Sequence, residues 1–217
     1  MKKLRNISLL ALILIGITNV QAQSFEGKIK FSIEYIEVPD MFEAVEGMLP
    51  TETLYYVKGN MIRTEVPQLM GSNQVVIFNT EKNEGAMLMD MAGAKQAVTM
   101  SSEYLKAQEE KLGQSTPEIK YLNEYKTIAG YKCQKAIVTQ NEQATIVYFT
   151  DKIPNVGQNF KGLKGMALQY SVEKNGLKST ETASTVLFQT VPDSTFEIPD
   201  DYEQISIEEF TGNNGSK

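Results

Sequence analysis

The feature that most restricts this chain is a period-two alternation of apolar and polar residues that returns in segment after segment. In FEGKIKFSIEYIEV the residues Phe25, Ile29, Phe31, Ile33 and Tyr35 fall at odd positions, with Glu26, Lys28, Lys30, Ser32 and Glu34 between them. Side chains alternate across a strand, so this pattern predicts one long strand with one dry and one wet face. TLYYVKGNMIRTEV reads as two strands joined at Lys58, Gly59 and Asn60, and QVVIFNTEKNEGAMLMDM as two more joined by a polar loop. EIKYLNEY, YKCQKAIVT, ATIVYFT, MALQYSVEK and LKSTETASTVLFQTV follow, separated by turn signals such as Ala129-Gly130 and Asn175-Gly176.

About ten strands with hairpin-length links leave too little helix for parallel crossovers. The predicted fold class is mainly β (α+β): a curved antiparallel half-barrel sheet of about ten strands, with two or three short helices on its concave face. One helix is predicted over residues 40–49, with Asp40 and Glu43 as a capping box and Met41, Phe42, Val45, Met48 and Leu49 on one side. A second is predicted over residues 102–112, capped at Ser101 or Ser102 and stopped by Gly113, with Tyr104, Leu105, Gln108 and Leu112 facing one way. Both are expected to lie on the sheet's apolar face. Residues 211–217 read as a disordered tail, and 23–210 as a single domain.

Lys2, Lys3 and Arg5 precede the apolar run from Leu9 to Ile17 and the exit Val20-Gln21-Ala22. That order is a secretory signal, with cleavage expected after Ala22, and the run is about half of what crosses a bilayer. The mature protein is expected in the periplasm or secreted, with no transmembrane segment after cleavage. Residue 23 is Gln, not the cysteine of a lipid-anchored protein. The leader holds three of the 21 basic and none of the 27 acidic residues, so the formal charge goes from −6 to −9 on its removal. A net-acidic chain with no basic cluster repels phosphate backbones, and nucleic acid is not an expected partner.

The sequence contains no histidine and one cysteine. Histidine-based triads, cysteine–histidine pairs and zinc hydrolase sites are therefore excluded, as is an internal disulfide. Cys133 reads as a small buried hydrophobe. The acid pairs Asp200-Asp201 and Glu208-Glu209 read as solvated surface, because neighbouring residues of a strand point to opposite faces. Met87, Met89 and Met91 share a strand face at about 7 Å spacing, too wide for joint ligation of Cu(I). No metal, cofactor or catalytic residue is assigned. With Met41 and Met48, the methionines instead suit a deformable apolar surface, although core filling explains any one of them.

At residues 128–168 the order I-x-G-Y-x-C-x-K-A, then a strand ending in Tyr148 and Phe149 before Thr150, then Ile153-Pro154 and GLKG, resembles the GLPGLI-type families of envelope proteins. The opening F-x-G-x-I-x-F and the closing FEIPDDYEQIS are similar to their first and last strands. Lys164 stands where that signature has proline, and Met166-Ala167 where it has an aliphatic pair. The resemblance implies a LolA-like half-barrel, as in periplasmic carriers of lipoproteins and lipids, and no catalytic residues. Gly162 and Gly165 read as a tight turn leading into an alternating strand of Met166, Leu168, Tyr170 and Val172.

Two functions lead on the sequence, and a third, hydrolysis by acid-based or Ser/Lys chemistry, is weakened but not removed by the missing histidine. One is an exported, non-catalytic binding protein holding a lipid, acyl chain or lipoprotein segment in the concavity, with Phe31, Ile33, Met41, Phe42, Val45, Met48, Met87 and Met89 as candidate contacts. The other is a structural or interaction protein of the envelope whose interior is filled by its own helices.

Overall fold

A computed structural model describes residues 25–67, 73–91, 93–111, 116–156, 160–174 and 176–214. The predicted signal segment, Leu112 and Gly113 lie outside the described residues. The chain forms β1 (Glu26–Glu37), β2 (Glu52–Lys58), β3 (Met61–Pro67), β4 (Asn73–Asn79), β5 (Glu84–Met91) and β6 (Ala94–Met100). After a helix come β7 (Glu118–Ile128), β8 (Tyr131–Gln140), β9 (Gln143–Thr150), β10 (Met166–Lys174), β11 (Leu177–Phe188) and β12 (Glu203–Ser206).

All twelve join one open, curved sheet in the order β12-β6-β5-β4-β3-β2-β1-β11-β10-β9-β8-β7. Hairpin connections make sequential strands antiparallel neighbours, and the pairing of β1 with β11 joins the two meanders. The pairing of β12 with β6 is parallel. The expected half-barrel class is thus what the chain forms, with two strands more than the alternation marked.

The sheet has a dry cluster on each face. Ile29, Phe31, Val57, Ala136, Val147, Phe149 and Tyr170 belong to the larger one. Val75, Ile77, Leu88 and Ala97 form a second with Val191 and Phe196 of the segment that leaves β11. Strand alternation puts Val75 and Ile77 opposite Val76 and Phe78, so β4 is apolar on both sides. The expectation of a single common interior is corrected: a smaller core sits on the other face, under a 3-10 turn at Asp193–Phe196.

Among the described residues, three helices accompany the sheet. The first, α1 (Asp40–Glu43), is a single turn, followed by a 3-10 turn at Glu46–Met48. The expected ten-residue helix does not form. Pro39 occupies the N-cap and no side chain caps the turn, so Asp40 makes no capping box. Gly47 and Pro50 then interrupt a segment too short to nucleate without packing. The second helix, α2 (Ser102–Lys111), is as expected, with Ser101 Oγ accepting the Tyr104 N–H at 3.2 Å.

The third, α3 (Ile207–Asn214), carries the capping box that was expected at Asp40. Ser206 Oγ accepts the Glu209 N–H at 3.1 Å while the Glu209 carboxylate accepts the Ser206 N–H at 3.0 Å. Glu208 and Glu209 therefore sit in the first turn of a helix, where the dipole favours acids, and residues 211–214 are helical rather than disordered.

Before β10, Gly165 packs so closely that a Cβ would meet the Thr150 carbonyl oxygen at 2.0 Å, and Gly162 has φ +86°. The expected clean alternation beyond this turn is broken. A bulge between Ala167 and Gln169 lets Met166, Ala167, Leu168 and Tyr170 all be buried.

Candidate functional site

The curvature of the sheet leaves a cavity of about 380 Å³, at the small end of the range of ligand pockets. One wall is built from side chains that register places on a common face: Tyr55 opposite Thr64, Thr64 opposite Val76, and Ile62 opposite Phe78. Met100 of β6 extends this wall and Leu105 of α2 leans over it. The facing wall comes from Met166, Ala167 and Tyr170 of β10, with Asn155 and Phe160 of the preceding loop. The Asn155 amide donates to the Phe160 carbonyl at 2.7 Å, which ties these two lining residues together. Residues from β3 and β4 thus meet residues from β10 only because the sheet curls, and the lining is mostly apolar, with Tyr55, Thr64, Asn155 and Tyr170 as its polar members.

At one end the site turns polar. The Tyr170 hydroxyl donates to Glu181 Oε2 at 2.7 Å, and the two residues are cross-strand partners between β10 and β11. Phe31 stacks edge-on against Tyr55 at 5.2 Å and lies 5.8 Å from the Tyr170 ring, while Phe160 closes on Tyr170 at 5.2 Å. Burial raises the Glu181 carboxyl above its ordinary value, against the opposing effect of the Tyr170 hydrogen bond. Burial first, and then Tyr55 and Glu181, push the Tyr170 hydroxyl well above its own. Tyr35 is raised too, by burial and by the Glu181 charge.

The candidate contacts divide by position. Phe31 backs the rings of Tyr55 and Tyr170, and Ile33 is the cross-strand partner of Glu181, so both border the polar end. Met87 lies opposite Val76 on the same face, where its sulfur accepts from the Gln74 amide at 3.6 Å, and Met89 lies opposite Gln96. Neither lines the cavity. Met41, Phe42, Val45 and Met48 do not line it either, and no residue of α1 or of the 3-10 turn after it is buried. Met41 is 76% exposed and the first helical segment contributes nothing to the lining, whereas α2 contributes Leu105.

Alternation missed Ile62, Val76 and Phe78 as site residues because they share strands with the second core. The signal was present in the unbroken apolar run VVIF, which marks a strand dry on both faces. Glu181 was legible as the one acid in the long strand LKSTETASTVLF, but nothing local shows that it faces inward.

Residues 40–188 match the family described as Domain of unknown function (DUF4412). The chain belongs to this family. The matched span runs from α1 to the end of β11, so in this DUF4412 protein it contains every cavity residue and Glu181. The GLPGLI-type likeness rests on the sequence motifs alone, and neither the family match nor the structural neighbours bring that family forward. No curated protein matches the chain. Among solved structures, PNGF-II in space group C2 is similar, with TM-score 0.51 and 15% identity, covering 88% of this chain and 32% of that one. PNGF-II in space group P21 gives TM-score 0.52 at 15% identity, covering 89% and 34%. The chain spans about a third of the length of these neighbours. At that identity the likeness is one of fold.

Proposed function

We propose that this DUF4412 protein is an exported, non-catalytic binding protein that holds a hydrophobic ligand, a lipid or acyl chain, in the concavity of its sheet. The observation that carries the reading is the cavity of about 380 Å³ between β3, β4 and β10, lined by Ile62, Val76, Phe78, Met100 and Leu105. An empty apolar space of that size forfeits packing on all its walls, and an occupant restores it. The charged start, apolar run and small-residue exit of residues 1–22 support export. The absence of histidine from the sequence supports a role without acid–base chemistry. The resemblance to LolA-like carriers adds to the same reading.

Native mass spectrometry of the protein purified from a periplasmic extract without detergent tests it. The expected result is a fraction carrying an adduct of lipid mass that dissociates under collisional activation. A folded chain bearing no adduct, and taking up none from added lipid, contradicts the reading. That result favours the second function, an envelope interaction protein. Its support is the exposure of Ile36 (67%) and Met41 (76%) near one rim of the sheet.

A further inference from the structure

One hydrogen bond behind the cavity wall, beyond the lining residue Tyr170, a carboxylate bears on which head group a ligand would present. Glu181 sits on the concave face between Ile33 and Tyr170, and its carboxylate accepts the Tyr170 hydroxyl through Oε2 at 2.7 Å. An ionised carboxylate has lone pairs for further donors. Among the described residues no lysine or arginine pairs with Glu181, and none lines the cavity. Lys30 of the neighbouring β1 pairs with Glu52, and Lys178 of Glu181's own strand pairs with Glu37 at 2.6 Å. Alternation turns Lys28, Lys30 and Lys178 to the opposite face from Ile33 and Glu181.

The Tyr170 ring that bonds the carboxylate belongs to an aromatic group in which the Phe31 centroid lies 5.8 Å from that of Tyr170 and 5.2 Å from that of Tyr55. Ring faces attract cations and, with a carboxylate, form a recognised setting for ammonium groups. An anionic head group would meet a like charge with no base to offset it. The net charge of −6 biases the approach of ligands in the same direction.

We propose that the concavity takes an amphiphile with a cationic head group, its alkyl tail among Ile62, Val76 and Phe78 and its ammonium set against Glu181 and the rings of Tyr55 and Tyr170. The proposal rests on the reading of the cavity as a hydrophobic-ligand site and adds the charge of the ligand.

Isothermal titration at pH 7 with decylamine, decanol and decanoate, three ligands sharing a tail, reads the head group alone. The expected order is decylamine tighter than decanol by roughly tenfold, in line with a desolvated ion pair and cation–π contact, and decanoate weakest. Glu181→Gln should bring decylamine to within about twofold of decanol, a residual difference of the size cation–π contact alone leaves. Decanoate binding as tightly as decylamine, or an amine preference that survives in Glu181→Gln, overturns the proposal. The wild-type ranking decides the matter alone if that variant does not fold. Should decanol bind and the amine show no advantage, only the head-group assignment falls. Should none of the three bind, the hydrophobic-ligand reading falls with it.

Discussion

Single residues show how burial sets chemistry here. Cys133 is fully buried and its thiol is pushed up to about 11 by burial, so it behaves as the small hydrophobe its isolation suggested. Glu181 is the opposite case, a carboxyl that keeps a polar role at the edge of an apolar space. Its folded carboxyl titrates above the ordinary 4.5, because burial disfavours the charged form. The folded chain therefore holds this proton more tightly than the unfolded one. The group's contribution to stability is fully present below the unfolded value and is lost as pH rises through the folded one. In urea unfolding followed from about pH 4 to about pH 7, Glu181→Gln should gain on the wild type as pH rises. A stability difference that stays constant across that interval would show that the carboxylate is solvated.

Elements reveal which signals were readable and which were not. Helix α2 was legible, since Tyr104, Leu105 and Gln108 are its half-buried side and Ser101 its cap. The segment at residues 40–49 had the same apolar spacing, but Pro39, Gly47 and Pro50 outweigh spacing when no surface receives the helix. The true capping box, Ser206 to Glu209, has the S-x-x-E signature and was hidden because the acids beside it read as a strand surface. Alternation missed β6 and β12 for a different reason, and only the resemblance of FEIPDDYEQIS to a closing strand marked the latter. AKQAVTM and EQIS carry few β-branched or aromatic residues, and they are strands because β5 and β6 respectively offer them partners. The second core is also an element-scale matter: Phe196, mostly buried, lies against the outer face of β4 and β5. Phe196→Ala should cost about 3 kcal/mol in urea unfolding, with ligand binding unchanged in the folded variant. A loss of binding at full stability would show that the two faces are coupled.

At the scale of the whole molecule, the alternation prescribed one large antiparallel sheet, and the sheet formed. What alternation alone leaves undetermined is which face becomes concave, because both faces of β4 and β5 are apolar. That choice is made by long-range packing: β7 returns to the neighbourhood of β11, and Asn155 and Phe160 line the same space as residues of β3 and β4. The cavity is a product of curvature, so its lining comes from positions with no common sequence motif. The same geometry explains why four of the eight expected contacts sit on a rim while Leu105 takes the covering position. The account as a whole therefore stands on occupancy of this one space.

Fluorescence titration with N-phenyl-1-naphthylamine tests that directly, with circular dichroism confirming that each variant is folded. The account predicts saturable binding by the wild type, weakened at least about tenfold in Leu105→Asp, where a charge enters an apolar wall, and unchanged in Met48→Asp. A folded wild type that shows no saturable binding, or a Leu105→Asp variant that binds as well as the wild type, would contradict it.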